Sequence, residues 1–145
     1  LRKMSKIFLW LSLLILPLMA EDGGVVSWSY NDEVELRKDQ VARYQISVDD
    51  KLLILDFRWT LYVNKGLVML YKLDKFPYQN VMYKDHKLDR FKLKLKNRAA
   101  NAYEEPYAVI VFKDFDDKTK KATFTILLKD DYRSVQAERV LPKAD

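Results

Sequence analysis

From Leu53 to Val63 every odd position is apolar: Leu53, Leu55, Phe57, Trp59, Leu61 and Val63, while the even positions bring in Asp56, Arg58 and Thr60. A period of two belongs to a pleated strand that buries one face and wets the other. The segment Asn64-Lys65-Gly66 then offers a short turn, with Gly66 expected to supply a positive φ, and Leu67, Met69, Tyr71 and Leu73 resume the alternation. This predicts a hairpin. A second hairpin is read from Tyr107 to Phe115, a turn at Asp116 to Lys120, and a return through Ala122, Phe124, Ile126 and Leu128. Further strands are expected at Tyr44 to Val48 and Phe91 to Leu95, with fainter ones at Val25 to Tyr30, Val34 to Leu36 and Tyr78 to Tyr83.

Turn residues punctuate these runs at Asn31-Asp32, Lys38-Asp39, Asp49-Asp50, Asn64-Gly66, Asp74-Pro77, Lys84-His86, Asn97-Glu105 and Asp116-Lys120. Short strands at such spacing predict an all-β, mostly antiparallel single domain, a β-sandwich or open barrel. At most one or two short helical turns are expected, at Asn97 to Glu105 and Ser134 to Val140, because neither stretch sustains a 3.6 period. The β domain is assigned to residues 21–131, and residues 132–145 to a polar tail or an edge strand contributed by Val135, Val140 and Leu141. An apolar content of 49% with 13% aromatic residues is too high for disorder, and 145 residues suit one core. The chain has no cysteine, which excludes disulfides, thiol nucleophiles and Cys-ligated metals.

Residues 1–20 read differently. Arg2, Lys3 and Lys6 precede an apolar run from Ile7 to Ala20 that is too short for an ordinary membrane span of about 20 residues. That pattern is expected of a secretory signal cleaved after Ala20, giving a periplasmic or secreted product with no transmembrane span. The leader holds three basic residues and no acid, so of the chain's net charge of +5 the rest keeps +2. Nucleic acid is accordingly not an expected partner.

Candidate chemistry is sparse. His86 is the single histidine, in a charged segment that reads as a solvated loop, and no serine sits in a Gly-flanked nucleophile elbow. Glycine is too scarce for a phosphate-cradling loop, and no cofactor or metal is expected. Asp56 is the carboxylate to watch, among apolar neighbours, with a cross-strand or same-face ion pair as its ordinary explanation. Asp114, Asp116 and Asp117 lack calcium-loop spacing and read as a charged hairpin tip.

The distinctive feature is a run of charge. Between Lys84 and Arg98 stand seven basic residues against Asp85 and Asp89, in a chain whose remainder is net acidic once the leader is removed. If Phe91, Leu93 and Leu95 point inward, then Arg90, Lys92, Lys94 and Lys96, continued by Arg98, line the outer face of one strand at about 7 Å intervals. Such a row either guards a sheet edge against aggregation or forms a docking surface for an acidic protein or anionic envelope surface. The expected function is therefore an exported, non-catalytic binding or assembly module. Two alternatives are a small envelope-polymer hydrolase using carboxylates such as Asp56, and a carbohydrate binder with an aromatic platform drawn from Tyr62, Tyr78 and Tyr83.

Overall fold

A computed structural model describes residues 27–84, 87–95, 106–130 and 135–142. The leader expected over residues 1–20, His86, Lys96, Arg98 and the helical turn expected at Asn97 to Glu105 lie outside the described residues. Nine strands follow in chain order: β1 (Tyr30–Arg37), β2 (Ala42–Val48), β3 (Lys51–Val63), β4 (Gly66–Leu73), β5 (Phe76–Tyr83), β6 (Arg90–Lys94), β7 (Tyr107–Asp116), β8 (Lys121–Lys129) and β9 (Val135–Val140). They form two antiparallel sheets, one ordered β1-β8-β7-β6 and the other β5-β4-β3-β2-β9. The sheets pack face to face as a sandwich and do not close into a barrel. None of the described residues is helical. Val135 to Val140 pairs with β2 as an edge strand, where Ser134 to Val140 had offered a helical turn.

Burial follows the alternation. Inward side chains of β2, β3 and β4 such as Tyr44, Ile46, Leu55, Phe57, Leu67 and Met69 are almost fully buried. Phe57 on β3 meets Phe124 on β8 edge to face at 5.4 Å, and Tyr71 on β4 stacks on Phe91 of β6 at 4.5 Å. Polar contacts also cross between the sheets. The Trp59 indole Nε1–H donates to the Leu36 carbonyl at 2.8 Å, and the Tyr44 hydroxyl donates to Asp32 Oδ2 at 2.9 Å. Each gives a buried polar group the partner that burial demands.

Three local expectations are corrected. Asn31-Asp32 is not a turn but lies inside β1, where pairing with β8 continues from Tyr30 to Arg37 and the Asp32 carboxylate is engaged by Tyr44. The β3–β4 turn takes its positive φ from Asn64 (50°) and Lys65 (65°), the pair of left-handed residues that a type I′ hairpin needs. Gly66 serves another purpose: the Tyr83 ring lies over it, where a Cβ would come within 2.9 Å of a ring carbon.

The third correction concerns β3 itself. Its ladder with β4 slips between Trp59 and Leu61, and a matching slip in β7 falls between Phe112 and Asp114. Each bulge puts two successive residues on the outer face, so the parity of the strand changes beyond it. Leu61 and Val63, expected inside, are exposed, and Tyr62, expected outside, turns inward to stack on Phe115 at 3.8 Å. The β7 bulge likewise keeps Asp114 outside while returning Phe115 to the interior side.

Candidate functional site: the basic edge and the aromatic cleft

Among the described strands, β6 is one edge of the four-stranded sheet. Leu93 and Leu95 are buried and Phe91 packs partly against the core, which leaves Arg90, Lys92 and Lys94 exposed on the outer face. Pleat geometry spaces these three at about 7 Å. Arg90 is held by its neighbour Asp89, Nε to Oδ1 at 3.0 Å, and that hydrogen bond pushes the guanidinium further above its ordinary value. Lys92 places its ammonium 3.9 Å from the centre of the Tyr107 ring. A cation over a ring face gains about 0.5–1 kcal/mol at an exposed site and fixes where the charge is presented. Tyr107 is itself braced edge to face by Trp28 at 6.1 Å.

Three strands away on the same outer face, β1 presents Glu33 and Glu35, opposite Thr125 and Thr123 of β8. The sheet is thus basic along the β6 edge and acidic along the β1 edge.

The three tyrosines of the expected platform do not come together. Tyr62 and Tyr83 share a cleft of about 520 Å³ at the bulged end of the sandwich, with Phe112, Phe115, Lys84 and Asp114 also in its wall. Lys84 donates to Asp114 at 2.9 Å across this wall, and that bond together with the Phe115 amide holds the Asp114 carboxyl below the usual carboxylate range. Tyr78 lies elsewhere, at the β5 edge, with its ring 6.0 Å from Phe91. Phe112, Phe115 and the Lys84–Asp114 pair were missed as cleft residues. Their signal was a spacing of three between aromatics in otherwise period-two strands, Trp59 to Tyr62 and Phe112 to Phe115, which marks the two bulges.

Asp56 sits opposite Arg43 in the β2–β3 ladder and accepts two hydrogen bonds from it, at 2.7 and 2.8 Å. This is the cross-strand ion pair that the sequence suggested as its ordinary explanation. The shallow depression beside it, lined by Arg58, Leu70 and Lys72 among others, brings no second carboxyl to Asp56. At the β7–β8 hairpin tip, Asp116 Oδ1 accepts the Lys118 and Thr119 amides at 2.8 and 3.1 Å, which lowers its pKa and uses it as a turn cap. Among the described residues no three acidic or imidazole groups gather as a metal site. Comparison with known proteins finds no matching family model, no matching curated protein and no matching solved structure.

Proposed function

We propose that this protein is a binding module that docks an acidic partner on the outer face of β6. The observation that carries the reading is the exposed row Arg90, Lys92 and Lys94 along one edge strand, with Lys92 oriented by the Tyr107 ring. A guard against aggregation needs only scattered charge, whereas a row backed by an aromatic presents positive charge at fixed spacing. The export and envelope setting read from the leader belongs to the same proposal.

The double variant Lys92→Glu with Lys94→Glu tests it, with poly-L-glutamate as probe. At low salt the variant is expected to bind about ten-fold or more weakly than the parent, since two exposed attractions become repulsions. The parent's affinity should also fall steeply as salt is raised, while both proteins melt at nearly the same temperature. Equal affinity for the probe rejects the reading, and so does a parent that ignores salt.

The cleft favours a second reading, in which Tyr62 and Tyr83 hold a sugar ring beside the Lys84–Asp114 pair. Calorimetric titration with neutral and uronic oligosaccharides would then show binding that Tyr83→Ala weakens about ten-fold and Tyr78→Ala leaves unchanged. Absence of heat with every sugar ends this reading.

A further inference from the structure

The backbone of β6 narrows the kind of acidic partner. Phe112 N–H donates to the Asp89 carbonyl at 2.6 Å and Leu95 N–H donates to the Pro106 carbonyl at 2.9 Å, on either side of the strand. In an antiparallel ladder the residues that bond to a given neighbour alternate. Phe91 and Leu93 therefore direct their amide and carbonyl groups at β7, and Arg90 and Lys92 direct theirs away from it, to the side where no described strand lies. Two residues whose side chains form the basic row are thus also ones whose main-chain groups face outward along the edge. Toward the interior the edge is apolar: beside Phe91 stands Tyr78 of β5, 40% exposed, its ring 6.0 Å away.

We infer that β6 receives an extended segment of an acidic partner protein as an added antiparallel strand, with acidic residues alternating with apolar ones. The acidic side chains would lie directly opposite Arg90 and Lys92, on the outer face, as directly opposed residues do. The apolar ones would turn inward along Phe91 and Tyr78. Main-chain bonds supply affinity in this mode and alternate side chains supply selectivity. Every strand pairing in both sheets is antiparallel, so the added strand continues the pattern.

A second copy of this chain is the nearest competitor, because β1 itself alternates Glu33 and Glu35 with Val34 and Leu36. Its open edge is already engaged: the Glu33 carbonyl accepts from Arg139 at 3.3 Å, and the Arg37 amide donates to the Gln40 side chain at 3.0 Å. A separate partner meets no such obstacle.

The inference rests on the docking reading above, and peptides separate the two. Three terminally blocked peptides alternate glutamate with isoleucine: one unmodified, one N-methylated at each glutamate, one N-methylated at each isoleucine. All carry the same charge. In the antiparallel register the glutamate amides face β6, so methylation there is expected to reduce affinity at least ten-fold, while methylation at isoleucine leaves it nearly unchanged. Binding of the unmodified peptide should also slow hydrogen exchange at the amides of Arg90 and Lys92. Equal binding by all three peptides overturns strand addition and leaves electrostatic docking standing. Failure of both the unmodified peptide and poly-L-glutamate to bind removes both. Growth in particle size with protein concentration, abolished by Glu33→Lys with Glu35→Lys, would assign the edge to a second copy and overturn the inference.

Discussion

Phe57→Ala is expected to cost about 3–5 kcal/mol of folding stability, the range for deleting a buried aromatic ring. Phe57 is 1% exposed and sits where both sheets meet: parallel to Tyr44 at 6.1 Å, tilted against Tyr71 at 6.3 Å, and edge-on to Phe124 of the opposite sheet. The void would be walled by large rigid rings that cannot collapse into it, which places the expected loss toward the upper end. Against a typical total of about 5–15 kcal/mol, that leaves a marginal or unfolded protein at ambient temperature. Urea titration followed by far-ultraviolet circular dichroism measures the loss. Phe57→Leu should retain most of the stability, since it keeps much of the volume. A loss below about 1.5 kcal/mol for the alanine variant would mean that the sheets do not meet at this ring.

Alkaline pH should unfold the protein through two tyrosines. Burial raises the phenols of Tyr44 and Tyr71 well above their ordinary value of 10.0, and for Tyr44 the Asp32 carboxylate that accepts its hydroxyl adds to the effect. Above about pH 10 the unfolded chain releases these protons and the folded chain keeps them, so the native state binds more protons and stability falls as pH rises. Their contribution is complete below about pH 10 and is lost progressively toward the folded-state values. The slope is about 1.4 kcal/mol per pH unit for each tyrosine, or about 3 for the pair. Urea midpoints measured from about pH 9 to 12 should decline accordingly, and Tyr71→Phe should remove about half of the decline. Tyr44→Phe should do the same, at an additional pH-independent cost of about 1.5–3 kcal/mol for the lost bond to a carboxylate. A slope unchanged in both variants would show that neither phenol is buried.

Charge reversal at Lys92 and Lys94, by contrast, is a prediction about binding with only a small stability component, such as the about 0.5–1 kcal/mol of the Lys92–Tyr107 contact. These side chains project from the outer face and contribute little to the core. The contrast with Phe57 separates what holds the sandwich from what it presents. Both kinds of residue occur on alternating strands, and their opposite burial follows from the parity of the pleat.

Much of this was legible in the chain. Apolar residues at every second position forced pleated strands, and the two strong hairpins, β3–β4 and β7–β8, were readable because their turns are short and their partners adjacent in sequence. The inward register of Phe91, Leu93 and Leu95 followed from the same rule and placed Arg90, Lys92 and Lys94 on the outside. Asp56 was legible as half of an ion pair, but its partner was not, because Arg43 reaches it only through the β2–β3 register.

Tertiary structure decided the rest, for reasons that no local pattern carries. The bulges at Thr60 and Lys113 reversed the parity of two strands, since packing Tyr62 against Phe115 across the sheets outweighs an unbroken ladder. That reversal builds the cleft, exposes Leu61 and Val63, and separates Tyr62 from Tyr78. Sheet order was equally invisible: β1 joins β8 and β9 joins β2 through contacts between residues up to about a hundred positions apart, which periodicity cannot rank. Above all, it is membership at the edge of one sheet that turns main-chain groups of Arg90 and Lys92 away from β7, beneath the basic side chains. The alternation of hydrocarbon and charge determined which way those side chains point, and only the assembled sheet determined that, among the described residues, their strand lies at an edge.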